Sequence, residues 1–157
     1  MIRLSDAQRQ ALEAHGAAEF PLECCGVLLG DLEEGVKIVR EVRPLPNSFQ
    51  PSEDFERSIG DSAVGDAPVG QERRFMVSAE VMLQLMHEER RTKRRVLGFY
   101  HSHPNHPARP SEYDRVWATP WYSYLIISVM DGKPVDLTSW ILVDDGARFE
   151  AEPLSAV

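Results

Sequence analysis

The segment from His101 to Asp114 restricts the possible folds of this chain more than any other part of it. It begins with His101-Ser102-His103-Pro104 and ends with Ser111-Glu112-Tyr113-Asp114. The apolar stretch before it predicts a strand, and alternation along a strand directs the two imidazoles to the same face. Pro104 then ends the strand, and Ser111 can cap a helix that carries Asp114 one turn along. We therefore expect a strand end to lie beside a helix start.

The residue types in this segment predict a metal site. Two imidazoles and one carboxylate, from His101, His103 and Asp114, form a ligand set that suits Zn²⁺ and leaves a fourth tetrahedral position for water. Such an open position is typical of catalytic rather than structural zinc. The water then needs a base that can pass its proton to a leaving group, and a nearby carboxylate is the usual provider. Glu23 is one candidate, but spacing alone does not distinguish it from the other acidic residues.

Helices and strands alternate along the chain. Ser5 and Gln8 have the spacing of a capping box and predict a helix over residues 6–18, and Ser78 predicts a second helix that ends near Lys93. Runs of apolar residues predict strands at residues 24–29, 36–42, 75–77, 96–101, 124–130, 135–143 and 148–152. Asp131-Gly132 indicates a hairpin between two of these strands. The pattern predicts an α/β domain in which a mixed β-sheet lies between helices.

The length of 157 residues predicts a single domain with one hydrophobic core, covering residues 1–157. Residues 46–72 differ from the rest because Pro, Ser, Gly and acidic residues dominate there, which predicts a long, flexible acidic loop.

In the second helix, Met82 and Met86 belong to an apolar stripe and are predicted to lie in the core. The basic residues at 90–95 are expected to complement the dipole of that helix.

Charge and cysteine content exclude several classes of protein. Seventeen basic and 25 acidic residues leave a net charge of −8, which argues against nonspecific binding to nucleic acids. No apolar run in the sequence is long enough to span a bilayer and the N-terminus lacks a secretory signal, so we expect a cytoplasmic protein without membrane association. Cys24 and Cys25 are adjacent and cannot form a disulfide framework. The sequence has no Cys-x-x-Cys pair, which argues against the zinc site of nucleobase deaminases.

Each candidate residue also has an ordinary structural explanation. Ser111 and Asp114 match a capping box, which alone would account for both. Glu23 alone would be a solvated turn residue. The isolated histidines are expected to be ordinary surface or core residues: His15, His87 and His106. The coincidence of paired histidines on a strand with a carboxylate on a capped helix favours a metal site over these separate explanations.

Together these residues resemble the JAMM motif of the MPN+ metalloproteases, the Mov34/MPN/PAD-1 family. The motif covers His101-Ser102-His103-Pro104, Ser111 and Asp114, with Glu23 at the start of Glu23-Cys24-Cys25-Gly26-Val27-Leu28-Leu29-Gly30. The resemblance extends over nearly all of the chain except the region of residues 46–72. It implies a mixed, curved β-sheet sandwiched between helices, related to the cytidine-deaminase-like architecture. It also implies hydrolysis of peptide or isopeptide bonds after a C-terminal Gly-Gly.

The resemblance further implies a role for each motif residue. His101, His103 and Asp114 would bind Zn²⁺. Glu23 would deprotonate the hydrolytic water and then protonate the leaving amine. Ser111 would donate a hydrogen bond to the developing oxyanion. On this basis Glu23 and Ser111 are the expected catalytic residues.

A small chain without an accessory module resembles the prokaryotic, stand-alone branch of this family, whose substrates include ubiquitin-like sulfur-carrier proteins ending in Gly-Gly. The expected partner is therefore such a carrier, from which a C-terminal residue or extension is removed. Two alternatives remain open: an isopeptidase that detaches ubiquitin-like modifiers from lysine, and a noncatalytic MPN scaffold that holds partners. The predicted loop at residues 46–72 is a further candidate for docking a partner.

Overall fold

The computed structural model describes residues 1–50, 71 and 74–156. Within these residues the strands are β1 (Ile2–Leu4), β2 (Cys25–Glu33), β3 (Val36–Leu45), β4 (Arg95–Pro104), β5 (Ser123–Met130), β6 (Lys133–Val143), β7 (Arg148–Ala151) and β8 (Leu154–Ala156). The helices are α1 (Asp6–Glu19), α2 (Ala79–Thr92) and α3 (Glu112–Trp117), with a 3-10 turn at Asp144–Gly146. No helix in these residues has the length and apolar character that a membrane span requires.

The strands form one mixed sheet in the order β7-β6-β5-β4-β2-β3-β1-β8. The β2–β3 hairpin is antiparallel, and β4 pairs antiparallel with β2 on its other side. In contrast, β4 and β5 are parallel, and β1 is parallel to both of its neighbours. Register shifts between Leu28 and Leu29 and between Ser128 and Val129 mark bulges, which bend the strands. The expected mixed, curved sheet is confirmed.

Alternation along β2 places buried side chains on both faces of the sheet. Leu28 belongs to a core cluster that includes Leu12 of α1, and both are 0% exposed. Val27 belongs to a second cluster with Leu85 of α2. Full burial of each such side chain contributes about 1.5–3 kcal/mol. The sheet therefore lies between α1 on one face and α2 on the other, as predicted.

Serine caps explain where the two longer helices begin. The Ser5 hydroxyl accepts a hydrogen bond from the backbone N–H of Gln8 at 3.2 Å, and Oε1 of Gln8 accepts one from the N–H of Ser5 at 2.8 Å. The Ser78 hydroxyl accepts a hydrogen bond from the N–H of Val81 at 3.3 Å. Helix α2 ends at Lys93, whose φ of 61° is left-handed. The predicted helices over residues 6–18 and from Ser78 to Lys93 are confirmed.

The predicted strands correspond to β2 through β7, with one exception. At residues 75–77 the prediction of a strand is wrong, because this segment joins no ladder of the sheet. Instead, the N–H of Met76 donates to Oδ1 of Asn47 at 3.1 Å, and its carbonyl accepts from the N–H of Ser48 at 2.9 Å. Of the acidic loop predicted at residues 46–72, residues 51–70 and 72 lie outside the described residues.

Candidate active site

The end of β4 carries the two histidines of the motif. Side chains alternate along this strand: His101 shares the face of Phe99, against which α2 packs. Ser102 faces the other way, and its hydroxyl accepts a hydrogen bond from the N–H of Cys24 at 2.8 Å. His103 is two residues beyond His101 and returns to the first face. The predicted convergence of the imidazoles follows from this alternation.

The two imidazoles and the Asp114 carboxylate form a buried cluster. The Nε2 atoms of His101 and His103 lie 3.0 Å apart. Oδ1 of Asp114 is 3.2 Å from Nε2 of His101, and Oδ2 is 3.4 Å from Nε2 of His103. The three ligand atoms all lie within 4.8 Å of one another, so they can face one ion. We call this set the metal cluster. Two nitrogens and one oxygen at this spacing fit a divalent metal such as zinc.

Neighbouring groups fix how the imidazoles point. Nδ1 of His103 lies 2.9 Å from the carbonyl oxygen of Pro107, and this contact directs Nε2 of the same ring at the cluster. The ring of His101 stacks on Phe75, with centroids 4.4 Å apart and an angle of 21° between the planes. Partners of this kind typically hold metal-binding histidines in place.

Asp114 is held by the residue that caps its helix. Its Oδ2 accepts hydrogen bonds from the N–H of Ser111 at 2.6 Å and from the Ser111 hydroxyl at 2.9 Å. The same hydroxyl accepts from the N–H of Asp114 at 3.1 Å. This is the capping box that the sequence indicates, so the structural explanation of the pair is confirmed. It also locks the ligand to the first turn of α3.

Burial and neighbouring charges shift the pKa values of the metal cluster in opposite directions. Burial lowers the pKa of His101, and the Asp114 carboxylate offsets this only in part. Burial also disfavours protonation of His103, but the hydrogen bond and charge of Asp114 outweigh it and raise the pKa of His103. Burial would raise the pKa of Asp114, yet the two imidazoles hold that pKa well below its usual range. Asp114 is therefore ionised and gives the cluster the negative charge that favours a cation.

Glu23 lies two residues before β2 and is 6% exposed. Together with His103 and Ser111 it lines a cavity of about 220 Å³. The remaining residues around it are Arg74, His106, Pro107 and Arg109. We call this space the polar cavity. The structure thus brings the predicted acid–base residue and the predicted oxyanion donor to the same cavity as one predicted metal ligand. The chemical roles of Glu23 and Ser111 stay predictions.

Asn47 is a residue of this site that sequence reasoning missed. Its amide nitrogen donates to the carbonyl oxygens of Glu23 at 3.1 Å and Arg74 at 3.0 Å. Its Oδ1 accepts from the N–H groups of Phe49 and Met76. The side chain therefore ties together the segments that carry two of the residues of the polar cavity. The sequence held only a weak signal for this role, an Asn after a Pro where the composition changes.

A second, apolar cavity of about 590 Å³ meets the metal cluster at His101 and Asp114. We call it the apolar groove, and its walls include Met82 and Met86 of α2 and Trp117 of α3. Met86 is 50% exposed and Trp117 is 52% exposed. The prediction that Met86 lies in the core is therefore wrong, whereas Met82 packs partly buried against the core. The groove forms a broad apolar surface next to two of the predicted metal ligands, His101 and Asp114.

Comparisons with known proteins find a family and several solved structures that are similar to this chain. The family model described as prokaryotic homologs of the JAB domain matches residues 5–143. A search of curated proteins found no match. A protein from Desulfitobacterium hafniense with a solution structure is 30% identical, with a TM-score of 0.75 over 100% of this chain and 93% of that one. A solution structure from Salinibacter ruber is 31% identical, with a TM-score of 0.65 over 100% of this chain and 92% of that one.

A third structure extends the likeness to a more distant protein. It is a JAB1/MPN domain protein from Archaeoglobus fulgidus, 17% identical, with a TM-score of 0.56 over 99% of this chain and 97% of that one. At this level of identity the likeness concerns the fold. It agrees with the mixed, curved sheet between helices described above.

Proposed function

Since the chain belongs to the family of prokaryotic homologs of the JAB domain, we propose that it is a zinc-dependent metallopeptidase. Its proposed substrate is a ubiquitin-like carrier protein, and the bond hydrolysed follows the carrier's C-terminal Gly-Gly. The observation that carries the proposal is the buried metal cluster beside a cavity lined by Glu23. Burying ionisable groups costs free energy unless they are paired or coordinate a metal, and a buried His-His-Asp set with converging donor atoms supports a metal site.

The ligands and their supporting groups suit a resident metal. His101, His103 and Asp114 would hold it, since their donor atoms already lie within 4.8 Å of one another. The His103 ring is fixed by Pro107, and the Asp114 carboxylate is fixed by Ser111. When bound, zinc would polarise the scissile carbonyl and lower the pKa of the attacking water.

Glu23 is the proposed acid–base residue. Its carboxylate accepts a proton from water as the water oxygen bonds to the carbonyl carbon. It then gives that proton to the leaving nitrogen as the carbon–nitrogen bond breaks. The products are a carrier that ends in a glycine carboxylate and a free amine. Support for this role is the position of Glu23 on the same cavity as His103.

Ser111 is the proposed donor to the oxyanion. Its hydroxyl carries one proton, which in the structure is directed at Oδ2 of Asp114 at 2.9 Å. Rotation of the hydroxyl would direct this proton into the polar cavity that Ser111 lines. Loss of one oxyanion donor typically lowers kcat by about 10²–10³-fold.

The burial of the cluster favours a glycine-ended tail. His101 is 1% exposed, Asp114 is 7% exposed and His103 is 8% exposed, so only a small part of each side chain is accessible to a substrate. Glycines carry no side chain, and a Gly-Gly tail could bring its carbonyl to such a site without a clash. The apolar groove beside His101 and Asp114 offers a surface for the residues that precede the glycines.

An intact-mass assay tests the proposed function. A ubiquitin-like carrier with one extra residue after Gly-Gly is incubated with zinc-loaded protein, with chelated protein and with chelated protein to which zinc is returned. We expect the carrier to lose the mass of the extra residue in the first and third samples only. Zinc-loaded protein that leaves every carrier and every lysine-linked substrate intact would instead support the noncatalytic scaffold.

A further inference from the structure

The polar cavity next to the metal cluster is lined by two arginines. We propose that Arg109 and Arg74 bind the free α-carboxylate of the amino acid that is released. This makes the protein selective for an α-linked C-terminal residue over a lysine-linked one. The inference rests on the proposed function, and it concerns the leaving group rather than the carrier.

The position of Glu23 decides which part of the substrate enters this cavity. A residue that protonates the leaving nitrogen must lie within hydrogen-bond reach of it. Glu23 and both arginines line the same cavity. In an α-linked residue, a single carbon separates the leaving nitrogen from the α-carboxylate. The carboxylate of a terminal residue therefore enters the cavity together with the nitrogen.

Arg74 is a fixed cation on the wall of this cavity. It is 8% exposed, and its guanidinium lies over the ring of Tyr113, with the carbon 4.7 Å from the ring centroid. Its backbone carbonyl accepts the hydrogen bond from Asn47 at 3.0 Å. Stacking and burial limit the rotamers of the side chain, so little entropy is lost when it binds an anion.

Arg109 is a second, more accessible cation. It is exposed, and within the described part of the chain its guanidinium forms no salt bridge. Its backbone N–H donates to the carbonyl of Pro107 at 2.8 Å, which fixes the turn between the histidines and α3. A guanidinium can bind a carboxylate through two parallel hydrogen bonds. Since both arginines line the cavity, a carboxylate that enters it can meet two cationic side chains.

The size of the cavity agrees with a single leaving residue. Its volume of about 220 Å³ is below the roughly 300–1,000 Å³ of clefts that hold drug-sized ligands. A lysine-linked substrate leaves through its side-chain nitrogen, and four methylene groups separate that nitrogen from the α-carbon. Such a leaving group brings no carboxylate near Glu23, and the arginines would face an apolar chain.

The test compares three substrates that share the carrier and its Gly-Gly. One has a C-terminal alanine with a free carboxylate, one has the same alanine as its amide, and one is joined to the side chain of a lysine peptide. For the wild type, we expect kcat/KM for the free acid to exceed that for the amide and the lysine-linked substrate by about 10- to 100-fold. Arg109→Gln should remove this preference by raising KM for the acid, with the amide unchanged.

Variants and controls separate binding of the carboxylate from loss of structure. Arg74→Gln should act in the same direction as Arg109→Gln. If circular dichroism shows that Arg74→Gln does not fold, the Arg109→Gln variant alone tests the inference, because Arg109 is exposed. Arg148→Gln removes an exposed arginine on β7 and should keep the wild-type preference. Equal rates for acid and amide in the wild type, or an equal loss of both in Arg109→Gln, would overturn the inference.

A binding measurement keeps the inference testable apart from the proposed function. L-alanine and L-alaninamide are titrated into zinc-loaded protein and followed by NMR. We expect L-alanine to shift signals of residues around the polar cavity, and Arg109→Gln to abolish the shifts. If the wild type hydrolyses none of the three substrates, the proposed function fails, and this titration decides the inference. No difference between the amino acid and its amide would reject the carboxylate site.

Discussion

Oδ1 of Asp114 lies 3.2 Å from Nε2 of His101, while Oδ2 of the same carboxylate accepts two hydrogen bonds from Ser111. One side chain thus belongs both to the metal cluster and to the cap of α3. The start of the helix and the position of the ligand are therefore fixed by the same contacts. A change at Asp114 should therefore affect both the metal affinity and the start of α3.

Asp114→Asn is expected to lower zinc affinity by at least about 100-fold, the upper end of the effect of losing a supporting partner of a ligand. The amide keeps an oxygen for the N–H of Ser111 but removes the negative charge. Competition with a chromogenic chelator measures the affinity. Asp136→Asn, at an exposed position of β6, is the matched control and should bind zinc like the wild type. Unchanged affinity in Asp114→Asn would contradict the assignment of the ligand.

Protonation of His15 is expected to destabilise the fold. Its Nδ1 lies 2.8 Å from the hydroxyl of Tyr100. Burial raises the pKa of Tyr100, so the hydroxyl keeps its proton and can donate it only to an unprotonated Nδ1 of His15. Burial likewise lowers the pKa of His15 from 6.5. The unfolded chain therefore binds this proton more readily, and the free energy of unfolding decreases as pH falls through about 6.5.

Urea unfolding at several pH values between about 5 and 7 checks whether the free energy of unfolding decreases as the pH falls. His15→Gln should lose less stability than the wild type as the pH is lowered. His87→Gln, at an exposed position of α2, should follow the wild type. Parallel curves for His15→Gln and the wild type would show that His15 does not contribute to the pH dependence.

Asn47→Ala is expected to lower the free energy of unfolding by about 1–3 kcal/mol, because partly buried backbone groups lose their partners. The variant should also reduce peptidase activity, since the Asn47 amide donates to the carbonyls of both Glu23 and Arg74. Urea titration and the mass assay measure the two effects. Gln10→Ala, on the exposed face of α1, serves as the control. Full activity with wild-type stability would mean that Asn47 does not position the cavity.

Leu12→Ala is expected to cost about 2–5 kcal/mol of stability, as a leucine-to-alanine change does in a packed core. Leu12 is 0% exposed and packs in the cluster between α1 and the sheet. Leu83→Ala removes a leucine that is 55% exposed and should cost far less. Thermal unfolding compares the two. A similar loss in both variants would contradict the packing of α1 against this face.

Local signals made the centre of the candidate site predictable. Alternation along a strand, a proline at its end and a serine cap act over a few residues, so His101, His103, Ser111 and Asp114 could be placed relative to one another. The sheet followed because most strands carry clear apolar runs. The strands β1 and β8 have three residues each, too few for a periodic pattern.

The walls of the two cavities were not predictable for a different reason. The hydrogen bonds from Asn47 span 24 residues to Glu23 and 27 residues to Arg74, and no local pattern encodes such contacts. The stripe on α2 predicted burial of Met86, but a stripe does not reveal how much of it the sheet covers. Residues 75–77 look like a strand, yet hydrogen bonds to the segment of residues 47–48 determine their conformation.

The rate of hydrolysis by Glu23→Gln at equal zinc content tests the central claim most directly. Gln keeps the shape of Glu23 but cannot accept or return the proton, so kcat should fall by about 10²–10⁴-fold while zinc stays bound. Glu150→Gln, at an exposed position of β7, is the matched control and should keep wild-type kcat. A Glu23→Gln protein that holds zinc and cleaves the carrier at the wild-type rate would contradict the account.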